Sequence, residues 1–206
     1  MINKDTKIYC SFSSNPGNNG CEFFNAAFMY NNIDAIYKSF YSDNIEKSIQ
    51  AVRTLNIKGC AVSMPFKIEV NKFVDDWDES FRKIGSANTI INDDGRLKSY
   101  NTDYIGVMDI LKSVHSHLYI LGNGGFSKAV QYACNLLDIK YTIITRDTWS
   151  LIDTLKNETL FNATPIDVIA TNNKVIDGRP FTPIGKRIAL EQAKAQFKLY
   201  TGIDYE

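Results

Sequence analysis

The sequence predicts an α/β fold with two domains, and two features of the chain support this. Through the first hundred residues, short apolar runs typical of strands alternate with runs whose apolar residues recur at helical spacing. Near residue 104 the pattern restarts, and it then contains an apolar strand, a glycine-rich turn and a helix. The second feature is the sequence pattern of a Rossmann-like, dinucleotide-binding domain.

The first half of the chain contains alternating strand and helix signals. Strands are predicted in "KIYCSFS" (Lys7–Ser13), "DAIYKSFY" and "GCAVSMP", and helices in "CEFFNAAFMYNN", "NIEKSIQAVRTLNI" and "IEVNKFVDDW". The segments "SANTIIND" and "GRLKSYNTD" flank an Asp-Asp-Gly turn, which predicts a β-hairpin.

The second half contains a candidate phosphate-binding turn. A helix is predicted in "YIGVMDILKSV", strand, turn and helix in "LYILGNGGFSKAVQYACNLL", and a strand in "YTIITRD". Glycines let the backbone approach a pyrophosphate, and the helix N-terminus favours negative charge. The candidate cofactor-binding residues are Gly122, Asn123, Gly124, Gly125, Phe126 and Ser127. Ser127 occupies the third glycine position of GxGxxG, and a tight strand-to-helix turn without a ligand has the same pattern.

Two charged residues follow the next strand of this half, where a dinucleotide fold meets the adenosine ribose. Arg146 could pair with a 2′-phosphate, which favours NADP, whereas Asp147 could bond a free 2′-hydroxyl, so NAD stays possible. The alternative is that Arg146 and Asp147 form a surface ion pair and have no role in cofactor binding.

Composition excludes several classes of function. Lys plus Arg and Asp plus Glu number 23 each, so no basic field predicts nucleic-acid binding. No apolar run approaches the roughly 20 residues of a membrane helix, and the N-terminus lacks a signal-peptide core. The four cysteines are scattered, which favours a reducing cytoplasm. His115 and His117 have no neighbouring ligand residues, so no metal site is predicted.

Five motifs resemble those of the shikimate dehydrogenase family, in the same order along the chain. They are "SMPFK", similar to V-T-x-P-x-K; "SANTI", similar to A-V-N-T; "NTDYIG", similar to N-T-D-x-x-G; "GNGGFSKAV", similar to G-A-G-G-A-x-x-A; and "EQAKAQFKLYTG", similar to Q-A-x-x-A-F-x-L-W-T-G. The spelling "SMPFK" resembles the shikimate 5-dehydrogenase-like branch.

The resemblance implies an NADP-dependent oxidoreductase of aromatic amino acid biosynthesis that interconverts 3-dehydroshikimate and shikimate. Lys67 and Asp103 match the catalytic lysine and carboxylate. The residues that match substrate-binding positions are Ser11, Ser13, Ser63, Asn88 and Gln192. Hydroxyls and amides suit a substrate with one carboxylate and several hydroxyls, so quinate or another cyclohexane carboxylate is also a candidate.

The resemblance also implies domain boundaries. Residues 1–103 would form the substrate domain, the helix at 187–206 would pack back on it, and residues 104–186 would form the nucleotide-binding domain. We expect a monomer or a homodimer, with no nucleic-acid or membrane partner.

The nucleotide-binding half departs from the family because it is short. "LFNATP" resembles I-I-N-A-T, and "IDVIATN", which resembles the later strand D-M-V-Y-N-P, follows almost at once. The usual crossover is thus missing or reduced. The alternative prediction is therefore a protein that binds shikimate or quinate with weak or no dehydrogenase activity. In the other half, Phe24 replaces the family's histidine before Asn25.

Overall fold

The structure, a computed structural model, describes residues 2–205. The chain divides into two compact units, Met1–Thr102 with Ala193–Glu206, and Asp103–Gln192. The long C-terminal helix belongs to both units: Ile188 lies in the core of the second, and Phe197 in the core of the first. The sequence-based boundaries differ slightly, because they place Asp103 and the whole segment 187–206 in the first unit.

The first unit is built on a mixed sheet with strand order β2-β1-β3-β5-β6-β4. Its strands are β1 Lys7–Ser13, β2 Ala35–Tyr41, β3 Gly59–Val62, β4 Asp76–Trp77, β5 Thr89–Asp93 and β6 Arg96–Tyr100, and its helices are α1 Asn19–Tyr30, α2 Ile45–Thr54 and α3 Glu79–Ile84. Strand β1 pairs in parallel with β2 and β3, whereas β5 is antiparallel to β3 and β6. The predicted hairpin is present, and Asp94 and Gly95 form its turn with positive φ.

Alternation along β1 separates two cores on the two faces of this sheet. Cys10 and Phe12 lie in a cluster with Ile45 and Ile49 of α2. Tyr9 points to the other face, where it joins the aromatic residues of α1 and of the C-terminal helix. Because side chains in a strand alternate with a period of two, Ser11 and Ser13 share the face of Tyr9.

The predicted helix over "IEVNKFVDDW" is wrong beyond its first turn. Only Glu69–Phe73 is helical, as a 3₁₀ segment, and the chain then enters the edge strand β4. Asp75 joins the chain to β6 at this point. Its backbone N–H donates to the carbonyl of Leu97, and its carboxylate accepts from the Leu97 N–H at 2.7 Å. The same carboxylate accepts from Arg53 at 2.8 Å. Pairing with β6 therefore outweighs the apolar periodicity that indicated a helix.

The second unit is a reduced Rossmann-like domain with a parallel sheet of order β10-β9-β7-β8. Its strands are β7 Leu118–Leu121, β8 Tyr141–Ile144, β9 Thr159–Asn162 and β10 Lys174–Asp177, and its helices are α4 Asp103–Leu111, α5 Gly125–Leu136 and α6 Pro183–Thr201, the last shared with the first unit. Helices α4 to α6 cover one face. The 3₁₀ segment Arg146–Thr154 packs on the other. This confirms the predicted α/β fold.

The prediction of a strand in "IDVIATN" is wrong. The backbone there is irregular, and the strand lies at Lys174–Asp177. Val168 and Ala170 pack against the apolar cluster of Leu121 and Leu160, which explains their strand-like spacing. The backbone covers the sheet instead of joining its ladder: the carbonyl of Ile166 accepts a hydrogen bond from the Asn162 amide at 2.9 Å.

An ion-pair cluster attaches this irregular segment to the end of β10. The guanidinium of Arg179 contacts the carboxylates of Asp167 and Asp177, each at 2.6 Å. Burial acts to raise the pKa of Asp177, but hydrogen bonds and charge from Arg179 outweigh it and hold that pKa below its usual value. The cluster therefore holds in place a connection that contains no helix between two parallel strands.

The aromatic core of the first unit contains one unsatisfied polar atom. The hydroxyl of Tyr200 is buried and has no hydrogen-bond partner among residues 2–205. Its ring packs so closely on β3 that a Cβ at Gly59 would lie 2.7 Å from it, so only glycine fits there. By contrast, the Tyr9 hydroxyl donates to the Tyr200 carbonyl at 2.9 Å.

This contrast predicts opposite effects for two similar substitutions. Tyr200→Phe removes an unpaired buried hydroxyl, so we expect the free energy of unfolding to stay constant or rise by up to about 1 kcal/mol. Tyr9→Phe removes a hydrogen bond and should lower it by roughly 0.5–1.5 kcal/mol. Denaturant unfolding of both variants measures the difference, and equal destabilisation by the two would contradict the assignment.

Candidate functional site

The ends of β1 and β3 bring two candidate substrate residues, Ser13 and Ser63, into one region of the first unit. The two strands are parallel and adjacent, and Phe12 pairs with Val62, so Ser13 and Ser63 follow at the same sheet edge. The backbone N–H of Ser63 donates to the Phe12 carbonyl at 3.0 Å, and the Ser13 hydroxyl donates to the Met64 carbonyl at 3.3 Å. The "SMPFK" turn is therefore fastened to the end of β1.

The three serine hydroxyls differ in environment. Ser63 is exposed, whereas Ser13 is buried and also accepts a hydrogen bond from the Asn15 N–H at 3.0 Å. Ser11 is half-buried beside Tyr37. Burial raises the pKa of Tyr37 far above its ordinary value, and a hydrogen bond from Ser11 opposes that rise. A ligand can thus reach Ser63 directly, while Ser13 also serves to shape the turn.

Lys67 lies in the turn that follows β3 and is half-buried. Its carbonyl accepts from the Ala87 N–H at 2.7 Å and from the Asn71 amide at 3.2 Å. These bonds join the backbone of Lys67 to the segment that leads directly into Asn88. The backbone carbonyl of Asn88 in turn accepts from the N–H of Val62 at 2.8 Å. The backbone therefore places Lys67 and Asn88 in adjoining segments next to β3.

Asn88 is almost fully buried, with 1% of its surface exposed. Its side-chain oxygen accepts from the Thr102 N–H at 2.8 Å and from the Thr89 hydroxyl at 2.9 Å. Its side-chain nitrogen donates to the Thr102 hydroxyl at 2.9 Å. Both acceptor positions of the Asn88 side-chain oxygen are therefore used within the protein.

Asp103 and Gln192 belong to the second unit. Asp103 is the first residue of α4 and is fully buried, a position where the helix dipole stabilises negative charge. Gln192 is half-buried on α6. The other candidates, Ser11, Ser13, Ser63, Lys67 and Asn88, belong to the first unit.

The glycine turn joins β7 to α5 as the sequence predicted. Gly122 has a φ of 97°, and a Cβ there would lie 2.9 Å from the Thr164 methyl group, so only glycine fits. Gly124 is the N-cap of α5, and a Cβ built on it meets nothing within 4 Å. Asn123 is exposed. Open space beside the start of a helix suits a phosphate group.

The other residues of this turn differ in exposure and contacts. Ser127 is fully buried, and its hydroxyl donates to the Gly122 carbonyl at 2.7 Å, which explains a serine at the third glycine position. Gly125 and Phe126 are half-buried, and the Phe126 ring lies 6.0 Å from that of Phe161. Ser127 and Phe126 therefore support the turn from inside.

Arg146 follows β8 and begins the 3₁₀ segment, where it and Asp147 are both exposed. Thr145 and Thr148 cap this segment reciprocally, which fixes the backbone at Arg146. The carboxyl ends of β7 and β8 lie at the same edge of the parallel sheet. The glycine turn and Arg146 are thus neighbours at that edge, as a dinucleotide site requires.

Sequence reasoning missed Thr89, Thr102 and Gln196, which surround Asn88. All three are buried, and the Gln196 amide donates to the Thr89 hydroxyl at 2.8 Å and to the Asn88 carbonyl at 3.3 Å. One signal was available: Gln196 follows Gln192 by one helical turn and lies next to the buried Phe197. A polar residue at an apolar position of a helix indicates a buried hydrogen bond.

Within residues 2–205, no group of three or more His, Cys, Asp and Glu side chains could hold a metal ion. The His117 ring instead bonds the Thr142 hydroxyl at 2.9 Å. A membrane-crossing helix, long and apolar enough to span a bilayer, is absent from the described part of the chain.

Comparison with known proteins identifies relatives of both units. The model of the shikimate dehydrogenase substrate binding domain matches residues 20–90. A shikimate dehydrogenase-like protein of Haemophilus influenzae is 43% identical over 134 residues, which are 63% of this chain. A shikimate dehydrogenase (NADP(+)) of Pyrococcus furiosus is 39% identical over 139 residues, 64% of this chain. The chain spans about half the length of these curated relatives, 49% and 51%.

The fold comparison covers more of the molecule. A solved shikimate 5-dehydrogenase-like protein superposes with a TM-score of 0.81 at 30% sequence identity, and the alignment covers 100% of this chain and 95% of the other. The substrate-domain match within the first unit agrees with this similarity, and the chain belongs to the shikimate dehydrogenase family.

Proposed function

We propose that this protein is an NADP-dependent oxidoreductase that interconverts 3-dehydroshikimate and shikimate. The observation that carries the proposal is the arrangement at the ends of β1 and β3, where backbone hydrogen bonds and the Ser13 hydroxyl join the segments of Ser13, Ser63, Lys67 and Asn88. All four match positions of the family pattern. The family relationship and the names of the curated relatives support the same activity.

The polar groups of this site suit a hydroxylated ring carboxylate. The hydroxyls of Ser11 and Ser13 are proposed to bind the carboxylate, and the Asn88 amide nitrogen to donate to a ring hydroxyl. Ser63 is proposed as a further hydroxyl that binds the substrate. We propose Gln192 as a further substrate residue on the resemblance alone. Quinate is also a ring carboxylate with several hydroxyls, so it is the competing substrate.

Lys67 is proposed to move the proton at the reacting oxygen. In the reduction direction its ammonium group donates to the carbonyl oxygen as negative charge develops there. In the oxidation direction its neutral amine accepts the proton of the hydroxyl. Asp103 is proposed as the carboxylate that orients the reacting hydroxyl.

The second unit fits the cofactor that this chemistry needs. The bound cofactor would supply the hydride as NADPH in the reduction direction and accept it as NADP+ in the oxidation direction. The open space at Gly124, the left-handed backbone of Gly122 and the exposed cation of Arg146 suit a pyrophosphate and a 2′-phosphate. NAD is the alternative cofactor, because Asp147 stands beside Arg146 and would repel a phosphate.

One observation favours a second candidate function, a ligand-binding protein with little or no dehydrogenase activity. The connection between β9 and β10 has no helix, and the described sheet of the second unit has four strands. A dinucleotide lies across the carboxyl ends of such strands, so shortening this unit weakens the cofactor site more than the substrate site.

A cytoplasmic location is part of the same proposal. All four cysteines are free thiols, which is typical of a reducing compartment. The substrate is the only partner proposed for a protein that works as a monomer or a homodimer.

Two measurements on the wild-type protein separate the candidate functions. We expect calorimetry to detect shikimate binding at millimolar concentration or tighter, and absorbance of the reduced cofactor to show turnover with NADP. Binding without turnover with either NADP or NAD would favour the ligand-binding protein. Absence of binding would reject both candidates for shikimate, and the same titration with quinate tests the competing substrate.

Lys67→Ala should lower kcat strongly and change shikimate affinity only mildly. Lys67 is proposed to act on charge that develops in the transition state, and general acid–base groups contribute roughly 10²–10⁴-fold. Lys72→Ala is the matched control, because Lys72 is an exposed lysine on the 3₁₀ segment that follows. Wild-type turnover in Lys67→Ala would end its catalytic assignment.

Arg146→Ala should raise the KM for NADP roughly 10- to 100-fold, the effect of losing one charged hydrogen-bond partner, and leave the KM for NAD nearly unchanged. Lys156→Ala removes an exposed cation just beyond the same 3₁₀ segment and serves as the control. If Arg146→Ala affects both cofactors equally, Arg146 does not recognise the 2′-phosphate.

A further inference from the structure

Four polar side chains of the first unit form one buried network. Asn88, Thr89, Thr102 and Gln196 have 1%, 0%, 2% and 2% of their surface exposed. Burying a polar group is unfavourable unless it is hydrogen-bonded, and each of these four has partners within the network. The network therefore forms as a unit, and its members come from the residue before β5, from β5, from the segment after β6 and from α6.

The donors and acceptors of this network allow its hydrogen bonds to run in one direction only, from Gln196 through Thr89 to Asn88. The amide nitrogen of Gln196 can donate but not accept, so the Thr89 hydroxyl oxygen is the acceptor of their 2.8 Å bond. The proton of the Thr89 hydroxyl then points to the Asn88 side-chain oxygen, 2.9 Å away. Successive hydrogen bonds in a buried chain polarise and strengthen one another.

Two donors, the Thr89 hydroxyl and the Thr102 N–H, together determine which way the Asn88 amide faces. The Thr89 hydroxyl and the Thr102 N–H both donate to its oxygen, while its nitrogen donates to the Thr102 hydroxyl. A flipped amide would place its NH₂ group against the Thr102 N–H, donor against donor. The Asn88 nitrogen, the donor proposed for the substrate, is therefore held in one orientation.

We infer that Thr89 and Gln196 are positioning residues for the ligand, acting through Asn88. The inference rests on the proposed function, in which the Asn88 nitrogen donates to a ring hydroxyl. Both residues lie within motifs that resemble the family's, but the resemblance assigns neither of them a role in substrate binding. Their role follows from the bond between Gln196 and Thr89 and the bond between Thr89 and Asn88.

If the network were purely structural, substitutions in it would lower stability without changing ligand affinity. Strand β5 provides a control residue for this alternative. Asn92, also on β5, is buried and bonds the carbonyls of Val52 and Ile57 and the N–H of Gly95. None of these bonds involves Asn88. Its loss should therefore lower thermal stability without changing ligand affinity.

The experiment compares shikimate Kd by calorimetry, kcat and KM for shikimate, and thermal unfolding by circular dichroism. Thr89→Val preserves shape and removes the hydroxyl, and Gln196→Met removes the donor from a different element. We expect both variants to raise the Kd and the KM about 5- to 30-fold, the effect of one or two hydrogen bonds. Thr89→Ser keeps the hydroxyl and should restore wild-type affinity, while Asn92→Ala should change only the unfolding temperature.

Folded Thr89→Val and Gln196→Met proteins with wild-type Kd would overturn the inference and leave the proposed function standing. If Thr89→Val does not fold, Gln196→Met and Thr89→Ser decide by the same comparison. Wild-type protein that binds neither shikimate nor quinate would overturn the proposed function and this inference together. Loss of affinity in Asn92→Ala equal to that in Thr89→Val would also overturn the inference, because general loosening of the sheet would then explain both.

Discussion

The parallel pairing of β1 with β3 is the constraint on which the candidate substrate site depends. With Phe12 opposite Val62, the strands end together, and Ser13 can hold the "SMPFK" turn through the Met64 carbonyl. If β1 shifted by one residue relative to its neighbouring strands, Ser11 and Ser13 would turn to the opposite face of the sheet. Cys10 and Phe12 are buried against α2, and this apolar face prevents the slip.

In the second unit, the connection between the parallel strands β9 and β10 is shortened and has lost its helix. Parallel strands usually need a crossover of a dozen or more residues with a helix. Here the segment 163–173 spans β9 to β10 without one, and Val168 and Ala170 supply the apolar cover that a helix would give. Arg179 completes the arrangement by holding Asp167 and Asp177.

Much of the fold could be predicted, because the conformation of many segments depends on residues close together in sequence. Alternation in β1, the Asp94–Gly95 turn and the glycines before α5 each specify one conformation, so strands, hairpin and turn could be predicted. The edge strand β4 could not, because Asp75 bonds to Leu97, a residue distant in sequence. "IDVIATN" misled for a related reason: apolar spacing shows burial but not ladder hydrogen bonds.

The candidate site was predictable in its residue types and less so in their geometry. The positions of Lys67, Asn88 and Asp103 came from motifs, and their roles stay predictions. That Asn88 uses both lone pairs of its oxygen, or that Ser127 closes its own turn, depends on neighbours that no local pattern specifies. Gln196 is a partner of Asn88 only because α6 returns to the first sheet after the second unit.

That return of α6 has a consequence for how the chain folds during translation. Phe197 and Tyr200 complete the aromatic core around Tyr9 and Phe28, and the Tyr9 hydroxyl bonds the Tyr200 carbonyl. A ribosome therefore releases β1 to β6 well before the partners of one sheet face exist. The second unit, whose residues are continuous in sequence, can close while the first still exposes aromatic side chains. During that interval the exposed aromatic side chains favour aggregation of the nascent chain.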